Sequence, residues 1–251
     1  MIGKISREEL EKYVFKRLGK RDDNVLVGPK FGEDAAAIKV DEKIIVVSSD
    51  PIIFAADRIG TLGIHIAAND AAASGARPRW MTVIFFLPDG FKDLDKITRQ
   101  LDKEAKKLGI SIVGGHSEYT PEISRPFISL TCIGTGNRFV PTSGARDGDK
   151  IILTKGAAIE ATGIIATDFE KKIRGKISPT LLKKAKNKLK QISVVKEAMI
   201  LSKYASSMHD PTEGGILNGL IEVAMASKKE LVVDRRNIII SKDTQKVCGA
   251  V

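Results

Sequence analysis

Asn69-Asp70-Ala71-Ala72-Ala73-Ser74-Gly75-Ala76 closes an alanine-rich run, residues 57 to 74, that reads as a helix. At 3.6 residues per turn, Leu62, Ile66, Asp70 and Ala73 fall on one stripe. A carboxylate therefore interrupts an apolar face. No cation lies beside it in the local sequence, and an ionised Asp is costly to bury unless it is paired or bound to metal. That cost marks Asp70 as a functional candidate. His65 shares a polar stripe with Thr61 and Asn69, which suits an interface or hydrogen-bonding role better than catalysis.

Outward from this helix, Ser6-Arg7-Glu8-Glu9 forms a capping box, and Leu10, Val14 and Leu18 recur at helical spacing until Gly19. Ile44 to Ser48 and Trp80 to Leu87 read as buried strands, and 110 to 113 and 127 to 135 as two more. Between them, Leu94, Ile97, Leu101, Ala105 and Leu108 mark an amphipathic helix stopped by Gly109. The turn cluster from Ser143 to Asp149 divides residues 1–142 from 143–251. The second unit is expected to be α/β as well, with strands at 150 to 154, 231 to 234 and 237 to 240. Its helices are expected near 157 to 166, from about 180 to 205, after Pro211, and from Lys242 behind a Ser241 cap. The fold class is thus mixed α/β (α+β), in two domains.

A chain of 251 residues that is 43% hydrophobic can bury real cores in both units. No window approaches the roughly eighteen apolar residues of a membrane span, and Met1-Ile2-Gly3-Lys4-Ile5-Ser6 carries no leader-like apolar run. The expectation is a soluble, cytoplasmic protein that does not engage membrane. Cys132 and Cys248 match no zinc or redox spacing and read as reduced thiols. Of the net charge of +10, nine Lys or Arg with no acidic residue sit between Lys171 and Lys190. That stretch lacks aromatic platforms for bases, so it reads as a solvated face and argues against nucleic acid.

Four further motifs can carry chemistry. In Gly32-Glu33-Asp34-Ala35-Ala36 two carboxylates follow a glycine, as a cation-holding loop or a plain turn. Ser48-Ser49-Asp50-Pro51 stands at a strand end, where side chains reach a crevice outside the sheet, or Asp50 simply caps a turn. Gly114-Gly115-His116-Ser117-Glu118 follows a strand; its glycines let backbone approach a ligand while His116 or Glu118 offers a polar group. In Met208-His209-Asp210-Pro211-Thr212-Glu213-Gly214-Gly215, Asp210 is placed to cap a helix whose free N–H groups also attract phosphate. Oxygen-rich turns without a cysteine or histidine cage suit Mg²⁺, and Mg²⁺ on a few carboxylates is how proteins commonly present ATP. No Walker A or Gly-x-Gly-x-x-Gly loop is present.

In order and spacing these motifs resemble the aminoimidazole ribonucleotide (AIR) synthetase superfamily, and the hydrogenase-maturation-like archaeal branch within it. Gly32 to Ala36 looks like its Gly-Asp-Asp-Ala motif, Ser49-Asp50 like its strand-end Asp, Asn69 to Pro78 like its most characteristic helix, and Gly114 to Glu118 like its Gly-Gly-Asp/Glu-Thr element. Residues 141 to 163 resemble the interdomain turn and first strand of its C-terminal domain, and His209 to Gly215 the C-domain signature of that branch. The resemblance implies an N-terminal domain, 1–142, that binds ATP and Mg²⁺ and joins its partner's sheet in a homodimer, covered by a C-terminal α/β domain, 143–251. It implies Asp34, Asp50 and Asp70 as metal ligands, and Gly32, Asp34, Asn69, Asp70, Gly114 and Gly115 around the nucleotide. His116, Glu118 and Asp210 become the catalytic candidates. The implied chemistry is phosphoryl transfer from ATP to a small-molecule or carboxamide-type acceptor.

Two departures stand out. His116 replaces the acidic residue of some branches, and Cys248, followed by Gly-Ala-Val, lacks the tail context of the modifiable cysteine that the carbamoyl dehydratases use. A non-catalytic nucleotide-binding dimer, acting as a maturation or regulatory partner, is the competing expectation. Family members resemble the chain up to Val247 and then continue, so the C-terminal domain is expected to be incomplete.

Overall fold

The structure, a computed structural model, describes residues 6–20, 22–53, 55 and 57–251; the leader reading of residues 1–5 lies outside them. The chain runs α1 (Arg7–Glu9), a π turn (Leu10–Val14), β1 (Val25–Val27), β2 (Ala36–Val40), β3 (Lys43–Ile52), α2 (Ile59–Ala73), β4 (Arg77–Pro88), α3 (Leu94–Leu108), β5 (Ser111–Thr120) and β6 (Phe127–Gly136). A 3₁₀ turn (Thr142–Gly144) then leads to α4 (Ile159–Asp168), α5 (Glu170–Ile173), α6 (Pro179–Asn187), α7 (Val195–Leu201), α8 (Gly215–Ser227) and α9 (Lys242–Cys248). The expected mixed α/β class holds. At the amino end the Ser6–Glu9 capping box forms in both directions.

The strands make one sheet in the order β1-β2-β3-β6-β4-β5. Only β4 and β5 run parallel, because α3 carries the chain back between them and a parallel neighbour needs such a crossover. Helix α2 packs on β3 and β6 and is covered by α3 and α7. A helix enclosed this way must be apolar all round, and every residue of α2 except Thr61 and Ile66 is buried. Ile59, Leu62 and Ile64 meet Val46, Met81, Ile128 and Leu130 of the sheet in the main core, each large side chain contributing about 1.5–3 kcal/mol. The helix ends in a Schellman motif: Ala76 N–H reaches Ala71 O at 3.0 Å and Gly75 N–H reaches Ala72 O at 2.9 Å. Gly75 takes the left-handed φ of 88° that this closure demands.

Sequence periodicity misses β1 and β2, which are short, and ends β5 too early. β5 continues through Gly114–Glu118 to Thr120, so that motif is an edge strand rather than a loop. In the second half, the described residues form no ladder at 150–154, 231–234 or 237–240, where strands were expected. A strand exists only where a neighbour satisfies its backbone; here Ile239 O accepts the amide of Ala157, just outside the 150–154 stretch, at 2.8 Å without starting a ladder. Side chains of these stretches stay open, Ile152 at 69% and Val232 at 85% exposure. The long helix expected from 180 to 205 breaks into α6, a 3₁₀ turn and α7, because Asn69 takes the carbonyl of Ile192 and the amide of Val194 out of any helical ladder. A small second core of Ala166, Ile173, Ala185 and Val247 holds α4, α5, α6 and α9 together.

The two halves should respond differently to truncation of a leucine. Leu62→Ala, at 1% exposure, should lower unfolding free energy by about 3 kcal/mol, whereas Leu217→Ala on α8, at 71%, should change it by less than about 0.5 kcal/mol. Urea denaturation of both variants checks this; equal losses would contradict the burial described.

Candidate metal and phosphate site

Four elements deliver carboxylates to one place. Asp70 sits near the end of α2, Asp50 lies two residues before the end of β3, Asp34 directly precedes the bend into β2, and Asp210 stands in the turn before α8. Asp210 does not cap that helix, which begins only at Gly215 behind Gly214. Burial, followed by the charges of Asp210 and Asp50 and a hydrogen bond with Asp50, holds the Asp70 carboxyl well above the usual range. Burial and then the charge of Asp34 do the same to Asp210. Asp34 is also raised by burial, against a hydrogen bond from His209 that lowers it. No donor of the protein reaches Asp50 Oδ2 or Asp210 Oδ1, although both atoms are closed to solvent.

His209 bridges the halves of the chain. Its Nδ1 lies 2.8 Å from the Asp34 carboxylate and its Nε2 2.8 Å from Glu222 on α8. Burial opposes the charged ring, but hydrogen bonding to Asp34, that residue's charge and the bond to Glu222 outweigh it and push the His209 pKa up to about 9. Glu33 has a different task from its neighbour Asp34: its carboxylate accepts the amides of Thr142 and Ser143 at 3.0 and 3.2 Å and pins the interdomain turn. The Thr142 hydroxyl donates to Asp34 at 3.2 Å.

The motifs read from sequence separate accordingly. Asp34, Asp50, Asp70 and Asp210 converge. Gly32 turns with φ +85° and packs on α8, where an added Cβ would lie 3.2 Å from Ala226 Cβ. Asn69 spends both ends of its amide on segment 192–194, at 3.0 and 2.8 Å, and so faces away from the cluster. Asp50 aligns with Leu130, Val83 and Gly115 across successive strands, which puts Gly115 three strand spacings, about 14 Å, from Asp50. Gly115 lets β5 approach β4 closely, since a Cβ there would overlap Val83 O at 1.7 Å. His116 and Glu118 are exposed on this edge and bond each other at 3.3 Å. His65 is buried against Glu104, 3.2 Å away, in the hydrogen-bonding role its stripe suggested.

Sequence reasoning gave no role to His209, Glu222 or Thr142. Glu222 carried a usable signal: it is the lone charged residue between Gly215 and Ser227, the same anomaly that marked Asp70. His209 was visible only as part of a turn.

The donor set fits Mg²⁺. It is all oxygen, it is short of positive charge, and two buried oxygens await a partner. Among the described residues no three His, Cys, Asp or Glu form a ready-made metal cage.

Without divalent cation the cluster should weaken the fold in a pH-dependent way. Asp70 keeps its proton above the ordinary 3.8, so its native-state penalty is absent in acid and grows as pH rises through the folded value. Asp70→Asn should therefore raise the melting temperature of metal-free protein at pH 8 and leave it nearly unchanged at pH 4. Melting curves at the two pH values check it; a variant destabilised at pH 8 would show that the charge is already compensated.

Comparison with known proteins identifies the family of the chain. The models of the N-terminal and C-terminal domains of AIR synthase related protein match residues 32–135 and 146–247. A hydrogenase expression/formation protein of Methanocaldococcus jannaschii is 27% identical over 98% of this chain and 74% of its own length. A selenide, water dikinase of Geobacter metallireducens is 31% identical over 82% of this chain and 61% of its own length. Among solved structures, thiamine monophosphate kinase of Aquifex aeolicus superposes with a TM-score of 0.73 at 17% identity, covering 86% of this chain and 74% of that one. Hydrogenase maturation protein HypE in complex with ATP gives 0.69 at 21%, covering 98% and 73%. With both domain models matched in order, the chain belongs to the AIR synthase related protein family.

Proposed function

We propose that the chain binds Mg²⁺-ATP at the carboxylate cluster and transfers its terminal phosphoryl group to an oxygen of a small-molecule or carboxamide-type acceptor, in a hydrogenase-maturation-like role. The observation that carries this reading is the pair of buried, unpartnered oxygens, Asp50 Oδ2 and Asp210 Oδ1, within a group of like-charged carboxylates. The hydrogenase-related and kinase relatives, and the ATP bound in the similar HypE structure, support it.

Asp34, Asp50 and Asp70 would hold the ion, which when bound neutralises charge on the phosphate oxygens in transit. Asp210 is the residue for proton transfer. Freed by the ion's charge of the proton it otherwise holds, its carboxylate is a competent base, and its buried, unpartnered Oδ1 is the atom that takes the acceptor proton. In the step itself the acceptor oxygen forms a bond to the γ-phosphorus, the bond from that phosphorus to the β-phosphate oxygen breaks, and the acceptor proton passes to Asp210. The buried floor made by α2 keeps bulk water from competing.

Calorimetry with ATP and Mg²⁺ should detect binding, and Asp50→Asn and Asp70→Asn should each weaken it about tenfold or more, a charged contact being worth about 1.5–3 kcal/mol. Unchanged affinity in both variants would sink the site. Product analysis with ATP and candidate carboxamides decides the chemistry, and binding without turnover would assign the chain as a non-catalytic nucleotide-binding partner.

The N-terminal sheet is also the proposed dimer surface, in residues 1–142 as the domain division sets them. β5 is an edge strand exposed from Ser111 to Tyr119, with Ile112, Val113 and Tyr119 open at its apolar positions and Trp80 of the neighbouring β4 open beside them. An uncovered strand of this kind invites association. Sedimentation should give a dimer at tens of micromolar, and Val113→Glu with Tyr119→Arg should give a monomer that still melts cooperatively. A wild-type monomer would contradict the assignment.

A further inference from the structure

We infer that His209 is a positioning residue that fixes the Asp34 carboxylate for metal by tethering it to Glu222, so that α8 of the second half sets the geometry of a ligand contributed by the first. The inference rests on the Mg²⁺-ATP reading of the same site and adds to it a residue pair outside the ligand set.

Each contact of the bridge is closed. The imidazole is 8% exposed, with Asp34 at 12% and Glu222 at 13%. With a carboxyl group 2.8 Å from each ring nitrogen, the ring is locked between two fixed partners. Glu222 is itself held, because the Asn218 side-chain amide donates to its Oε1 at 3.0 Å and to Glu213 O at 3.1 Å. Backbone packing sets the distance: at Gly219 an added Cβ would lie 2.8 Å from Pro211 Cγ and 3.3 Å from the His209 ring. Only a glycine lets the 209–211 turn close on α8. On the other side, Gly32 seats the Asp34 loop against Glu222 O and Ala226. Asp34 is thus aimed by a chain running Asn218, Glu222, His209, in which only Asp34 is assigned to metal. Partners that orient a metal ligand typically change affinity by about 10–100-fold when removed.

The test uses the whole chain and begins with wild-type Mg²⁺-ATP calorimetry; no binding there refutes the site reading itself. With wild type binding, His209→Ala and the gentler Glu222→Gln should each raise the Mg²⁺ concentration needed for half-maximal ATP binding by about tenfold or more. A second readout needs no ligand: in metal-free protein Glu222→Gln should shift the ¹⁵N signal of His209 Nε2, which it touches, and also that of Nδ1, which faces Asp34. If His209→Ala does not fold, Glu222→Gln, which keeps the side chain's shape, carries the decision alone. Melting temperature lowered with Mg²⁺ dependence unchanged would make the bridge merely structural and overturn the inference, as would His209 ring signals that do not respond to Glu222→Gln.

Discussion

Everything around the site depends on one electrostatic constraint, the enclosure of Asp70 in a helix that is apolar on nearly every side. α2 can be sandwiched between the sheet and α3 only because almost all its side chains are hydrophobic or small. Placing a carboxyl there, within reach of Asp50 and Asp210, leaves negative charge that water cannot screen. The fold answers with protons, since Asp34, Asp70 and Asp210 all hold theirs more tightly than free carboxyls do. It answers also with the buried His209 ring, held between Asp34 and Glu222 at the edge of the cluster, where those carboxyls favour its charged form. A divalent ion would replace protons as the counter-charge, and this is the physical sense in which the cluster is incomplete without one.

The halves of the chain share the main apolar core, to which Leu189 and Ile192 of the second half belong, and are also joined by side chains that serve this constraint. Glu33 pins the turn at Thr142 and Ser143, Thr142 turns its hydroxyl to Asp34, and His209 completes the line to α8. Elsewhere Arg138 reaches the carbonyls that close α7, with Ala205 O at 2.8 Å. Around the site the contact between halves is therefore polar and directional, unlike the apolar contact of Leu189 and Ile192 with the main core. Such contacts stabilise less per unit area but fix angles closely.

How much of this could be read beforehand differs by element, for physical reasons. α2 and α3 were legible because a helix declares itself over fifteen residues by periodicity and by its stop signal, here Gly75 and Gly109. β1 and β2 are too short to show a period. The apolar runs around Ile152, Val232 and Ile239 have strand composition without strand structure, since β-propensity is a statement about neighbours and these segments have no laddered ones. At the site, Asp70 was found from its conflict with the surrounding pattern, and Asp34, Asp50 and Asp210 from their turns. Asn69 misled because it stands next to Asp70 in sequence, and adjacent helical positions point about 100° apart. Glu222 and His209 were hidden by distance: the partner that gives each its meaning lies in another element, and Asp34 is 175 residues from His209.

That 100° offset between Asn69 and Asp70 ties two remote places into one mechanical unit. Asn69 grips both Ile192 O and Val194 N–H, while Asp70 looks into the carboxylate cluster from the same turn of helix. Any roll of α2 about its axis that re-aims the carboxyl must strain or break both amide bonds, and any slippage of segment 192–194 must torque the helix in return. The stiffness of an irregular connection between α6 and α7 thus becomes part of what holds Asp70 in register, and substitutions at Ile192 to Val194 are as much changes to the cluster's alignment as to the loop's own shape.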